Sequence, residues 1–153
     1  MNRSARLSIG IAALTALALP ATHALAQREA PYVLVETGEG FSRLQDAVNA
    51  VGDSTATIRF ASGRFADCAV QGAGSITYLA TSAGQSVLDG TACEGKAALV
   101  LRGRSARVEG LVFANIRVSD WNGAGIRLEK GNLAVFQAWF RDSQQGILAG
   151  VDT

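Results

Sequence analysis

The chain has 153 residues, with 14 Lys and Arg against 13 Asp and Glu and a net charge of +1. That balance supplies no basic stripe for a phosphate backbone and no polybasic or amphipathic segment for a membrane surface, so it argues against nucleic-acid and membrane-surface partners. The single histidine, His23, falls in the leader read below. The mature chain is therefore expected to lack Ser-His-Asp and Cys-His chemistry and histidine-ligated metals, and no cofactor is implied.

Residues 1–26 read as a secretory signal peptide. Arg3 and Arg6 lie in a polar start, Leu7 to Leu19 form an apolar run, Pro20 breaks it, and Ala24-Leu25-Ala26 supplies a small-residue cleavage pattern. The run is shorter than the roughly 20 residues of a membrane span; a retained anchor is the alternative. The mature chain then starts at Gln27, has no further span, and is exported from a bacterial cell to the periplasm or the extracellular space. An exported chain with two cysteines, Cys68 and Cys93, favours one disulfide, contributing on the order of 3 kcal/mol for a loop of this size. Two free buried thiols are the alternative, and no metal site is expected from two cysteines without histidine.

The fold begins in residues 27–56. Tyr32 to Val35 read as a short strand that Gly38 and Gly40 end. These glycines do not make a dinucleotide fingerprint, because Arg43 stands where the third glycine is required. Ser42 and Gln45 then fit a capping box. Leu44, Ala47, Val48 and Val51 fall on one helical face, Arg43, Asp46 and Asn49 on the polar face, and Gly52 suits a left-handed C′ position. A helix with one apolar stripe must lie on something.

From 57 to 153 no helical period recurs. Short apolar runs broken by small or polar residues predict an all-β fold. Two of them repeat: Leu99 and Ile126, Leu101 and Leu128, Val108 and Val135, Leu111 and Ala138, Phe113 and Phe140, Asn115 and Asp142 are each 27 residues apart. Ile147 opens a third copy 21 residues after Ile126; the earlier copy carries an extra loop, "RVSDWNGAG". Such spacing points to stacked coils, with the apolar pairs inside and the Asn115–Asp142 pair at a turn. A β-sandwich or meander is the competing arrangement.

The segment "FSRLQDAVNAVGDSTATIRFASGRFADCAV" and the "V-x-G-L-x-F-x-N" run from Val108 to Asn115 resemble right-handed parallel β-helix proteins of the pectin-lyase-like superfamily. The resemblance implies a right-handed solenoid whose first coil is covered by the small helix, with Gly63-Arg64-Phe65 as the turn that opens the ladder. It also implies a carbohydrate-related role, since enzymes of this superfamily mostly act on acidic polysaccharides, using aspartates and an arginine or lysine base on one exposed sheet. No catalytic residue carries over to a matching motif. Only two or three coils are visible, and "GILAGVDT" ends without a cap. The chain is accordingly expected to be the N-terminal part of a longer protein; the alternative is a short protein that closes its end by self-association or on a partner.

Candidate chemistry is sparse. Glu129 with Asp142, and Glu109 with Asp120, are carboxylates that neighbouring coils could bring together. Arg102, Arg104 and Arg107 form a local basic run, and Asp89-Gly90 resembles a turn without completing a calcium loop. All of these equally fit solvated outward positions. The candidate ligand-binding residues are Asp120, Trp121 and Asn122 on the extra loop: an indole face stacks on a sugar ring, and Asp and Asn hydrogen-bond its hydroxyls. Trp121 folding back over its own coil is the alternative. The functional expectation is a polysaccharide-binding or -processing protein, a lyase or hydrolase if an enzyme, with any catalytic coils beyond this chain. A non-catalytic envelope scaffold or binding module is the other reading.

Overall fold

The computed structural model describes residues 30–150. The signal-peptide reading of residues 1–26 lies outside them. Two short strands, β1 (Tyr32–Leu34) and β2 (Gly40–Phe41), precede the helix α1 (Leu44–Val51). Four triplets of strands follow. They are β3 (Thr55–Phe60), β4 (Gly63–Phe65) and β5 (Ala69–Gln71); β6 (Ser75–Ala80), β7 (Ser86–Asp89) and β8 (Ala97–Leu101); β9 (Ser105–Glu109), β10 (Leu111–Ala114) and β11 (Ala124–Leu128); β12 (Asn132–Phe136), β13 (Trp139–Arg141) and β14 (Gln145–Ala149).

The fold is all-β apart from the helix, and its sheets are mainly parallel. The first sheet has the order β12-β9-β6-β3-β1-β2, the second β13-β10-β7-β4, and the third β14-β11-β8-β5. Each strand from β3 onward thus pairs in parallel with the strand three places along the chain, and the chain visits the three sheets in the same order four times. That is more than the two or three rounds visible in the sequence. Among the described strands the antiparallel pairs are those of β1, with β2 and with β3. Gly63-Arg64-Phe65, expected as a turn, is itself the strand β4 that opens the second sheet.

The repeat explains the interior. Ile58, Tyr78, Val108 and Val135 share one register across the first sheet. Phe65, Leu88, Phe113 and Phe140 do so in the second, and Ala69, Leu99, Ile126 and Ile147 in the third. Like side chains therefore stack on like. The Phe113 and Phe140 rings lie 5.2 Å apart and nearly parallel, and Tyr32 meets Phe60 edge-on at 5.1 Å. Corners fall where the backbone can take positive φ: Gly90, Asn115 and Asp142 occupy equivalent places leaving the second sheet. At Gly131 (φ +76°) a Cβ would sit 2.1 Å from the Gly103 carbonyl oxygen, so only glycine fits that approach.

The helix buries Leu44, Ala47, Val48 and Val51, the face read from the sequence. Its capping differs. The N-cap is Arg43, with no side-chain cap bond; instead Asp67, from the next turn of chain, accepts the Leu44 N–H at 2.7 Å and the Cys68 N–H at 2.8 Å. Gln45 is engaged elsewhere. Its side-chain amide accepts from Val70 N–H at 2.7 Å and donates to Val70 C=O at 3.1 Å, supplying edge strand β5 with the partner a neighbouring strand would give. Cys68 and Cys93 form the disulfide, joining the first two rounds where the chain enters the third sheet. Among the described residues no helix is long and apolar enough to cross a membrane.

Candidate functional site

The loop 115–123, between β10 and β11, is built from its base outward. Ile116 is fully buried and anchors the start. Gln144, on the following round, staples the rest: its Oε1 accepts from Val118 N–H at 2.9 Å and Gly123 N–H at 2.8 Å, and its Nε2 donates to Val118 C=O at 3.1 Å. Ser119 to Asn122 project beyond the staple. There the Asp120 carboxylate accepts the Asn122 N–H at 3.1 Å, a local Asx turn. Trp121 does not fold back; it is 73 % exposed. Its φ of +65° is a conformation that costs a bulky L residue about 1–2 kcal/mol. The three loop candidates thus stand together, and the most apolar of them neither packs nor relaxes.

The loop ends beside the third sheet, where Ala124 N–H donates to the Lys96 carbonyl at 3.0 Å. The outer face of that sheet carries Val70, Val100, Arg127 and Leu148 in one register. Above it lies an ionic cluster centred on Glu129, whose side chain is fully buried. Lys96 Nζ donates to Glu129 Oε1 at 2.6 Å and Arg102 Nε to Oε2 at 2.5 Å. Arg102 also binds Glu94, at 3.0 Å through Nη1. Lys96 precedes β8 and Glu129 lies beside its last residue, so their side chains converge over the strand from opposite ends. Val100 beneath them is fully buried although it faces outward.

Burial alone would push the Glu129 carboxyl up. Hydrogen bonds from Lys96 and Arg102, and their charges, outweigh it and hold the group below the usual carboxylate range. Glu94 is lowered as well, by its hydrogen bond from Arg102. With both oxygens engaged, Glu129 is a fixed anion rather than a free proton carrier. Arg127 is the third cation, 3.8 Å from Glu129, and its buried Nε has no hydrogen-bond partner. Three cations, Lys96, Arg102 and Arg127, against two carboxylates, Glu94 and Glu129, leave the face with a net positive charge, which suits an acidic ligand.

The other sequence candidates separate. Glu129 follows β11 in register with Arg102, whereas Asp142 sits at the corner above Asn115, so the two carboxylates do not form a pair. Glu109 ends β9 and accepts from Arg107 at 2.9 Å, apart from the loop that holds Asp120. Nor do the three arginines cluster: Arg102 serves Glu129, Arg104 binds Asp53, and Arg107 pairs with Glu109 and lies 3.8 Å over the Phe136 ring. Asp89 ends β7 before Gly90 (φ +70°), holds Arg64 at 2.8 Å and accepts from Asn115 at 2.7 Å. Lys96, Gln144 and Arg127 were missed from the sequence. The Arg102–Glu129 pair was within reach, because its members have the same 27-residue offset as the apolar stacks. Among the described residues no group of three or more His, Cys, Asp or Glu is placed to hold a metal ion. Compared with protein-family models, with curated proteins and with solved structures, the chain finds no match in any of the three.

Proposed function

We propose that the protein is an exported right-handed parallel β-helix of the pectin-lyase-like kind, lidded by α1, and that it binds polysaccharide along the 117–123 loop and the outer face of the third sheet. The triple repetition of strand pairing and the like-on-like interior stacks support the architecture. One observation carries the function: Trp121 is held out in solvent, at a backbone cost, on a loop whose base is rigidly stapled. Strained, exposed residues on a rigid scaffold are a recurring feature of ligand contacts. Binding is preferred over turnover because the buried carboxylate on this face has both oxygens occupied.

The test is calorimetric titration of the protein with a soluble neutral glucan and with a polyuronate, repeated on Trp121→Gly. Saturable binding by the wild type that falls at least about tenfold in the folded variant supports the reading. Equal affinity in the two proteins, no binding by either, or release of reducing ends or unsaturated products by the wild type would each overturn it. The second of these outcomes would favour a scaffold.

A further inference from the structure

The extra loop carries a second kind of chemistry, at the bond between Asn122 and Gly123. This is the one Asn-Gly dipeptide in the sequence. Glycine has no side chain to shield its nitrogen, and the preceding carboxamide can close a small ring onto it. Asparagine is accordingly among the chemically labile residues. The reaction needs an open side chain and a free N–H on the next residue. The fold supplies the first and withholds the second.

Asn122 is exposed, and no hydrogen bond holds its side-chain amide among the described residues; its backbone N–H is the one that Asp120 accepts, at 3.1 Å. Gly123 is buried. Its N–H donates to Gln144 Oε1 at 2.8 Å, and the same oxygen accepts from Val118 N–H at 2.9 Å. The backbone there is hemmed in as well, since a Cβ on Gly123 would lie 2.6 Å from Gln144 Oε1 and 2.9 Å from the Ile116 carbonyl oxygen. While the staple is shut, the Gly123 nitrogen neither loses its proton nor swings toward Asn122 Cγ. Asp89–Gly90 is the related Asx-Gly pair, and there both halves are held. Arg64 and Asn115 donate to the carboxylate, and Gly90 N–H donates to the Ala114 carbonyl at 2.9 Å.

We propose that Asn122–Gly123 is a self-modification site gated by Gln144. When the staple opens, hydroxide takes the Gly123 N–H proton and the nitrogen attacks Asn122 Cγ. The new N–Cγ bond closes a succinimide as the Cγ–Nδ2 bond breaks, and the leaving nitrogen takes a proton from water and departs as ammonia. Water then opens the ring at either carbonyl, leaving aspartate or isoaspartate at position 122. No electron is transferred, and water is the only co-reactant. Either product sets a second carboxylate near Asp120, and isoaspartate also routes the main chain through the side-chain carbons. Local opening is the requirement, so the loop gains negative charge in proportion to the time its base has spent open. This holds whatever the loop binds.

The test incubates the folded protein in mildly alkaline heavy-oxygen water, which marks conversion that precedes digestion. The tryptic peptide from Val118 to Arg127 is then followed by mass spectrometry, with isoaspartate counted by enzymatic methylation. Gln144→Met keeps the side-chain length and removes the acceptor, whereas Gln144→Glu keeps an acceptor. Conversion at position 122 should be at least about fivefold faster in Gln144→Met than in the wild type, the factor one lost hydrogen bond is worth, and should stay near the wild-type rate in Gln144→Glu. Melting curves confirm that the variants are folded; should Gln144→Met fail to fold, Gln144→Ala takes its place. Equal rates in the wild type and the variant without the acceptor overturn the proposal. So does a Gln144→Glu rate as fast as that variant's, or no conversion in any of the proteins when the free peptide of the same sequence converts.

Discussion

Replacing Trp121 by glycine separates a ligand platform from a packing residue. About a quarter of the side chain is covered. For a tryptophan that buries up to ~250 Å² this is ~60 Å², or at most ~1.5 kcal/mol at ~25 cal/mol/Å². Glycine's extra freedom in the unfolded chain costs a further ~0.5–1 kcal/mol. Against these stands the relief of a positive φ, about 1–2 kcal/mol. The sum lies within about 1.5 kcal/mol of zero. A packed tryptophan reduced to a small residue would cost about 3–5 kcal/mol. Urea unfolding followed by circular dichroism decides: the midpoint should move little at constant slope, while polysaccharide binding falls. A loss of 3 kcal/mol or more would show that Trp121 holds its own loop in place and would refute the argument.

Removing the disulfide with Cys68→Ser and Cys93→Ser closes no loop in the unfolded chain; a separation of 25 residues predicts a loss of about 3.5 kcal/mol, read from the urea midpoint. Asp67→Ala leaves the first N–H of α1 uncapped and should cost about 1 kcal/mol, with hydrogen exchange at Leu44 rising more than in the third sheet. The carboxyls of Glu129, Glu94 and Asp89 are all lowered in the folded state. Their stabilisation is complete above the ordinary value, 4.5 for Glu129, and is lost as pH falls through the lower folded values. The urea midpoint should hold from neutral pH down to that value and decline below it. Glu129→Gln should flatten the decline, and an unchanged slope would count against the cluster.

The 27-residue offset made the interior legible because stacked rounds place equivalent residues on top of one another. Phe113 and Phe140, or Val108 and Val135, could be paired from the sequence alone. The helix face and the cysteine pair were legible for equally simple reasons, an apolar stripe and an even count. The capping box was not, because a local pattern competes with distant partners: Asp67 reached Leu44 first, and the bare edge of β5 claimed Gln45. The candidate site was legible where it is a contiguous loop, Asp120 to Asn122. It was hidden where its members come from different rounds. Lys96 and Glu129 are 33 residues apart and off the repeat, and they meet only because their side chains run along one strand from opposite ends.

Asp67 accepts one hydrogen bond through each oxygen, one from the first residue of the helix and one from a cysteine of the cross-link. Docking of the helix and closure of the disulfide are therefore thermodynamically linked, and linkage is reciprocal. A seated lid orders the backbone at Cys68 and favours the oxidised pair. An oxidised pair holds Asp67 where the helix needs an anion. Maturation in an oxidising compartment would thus lock the N-terminal end in a single cooperative step, and reductant would loosen the helix before it reached the stacked interior.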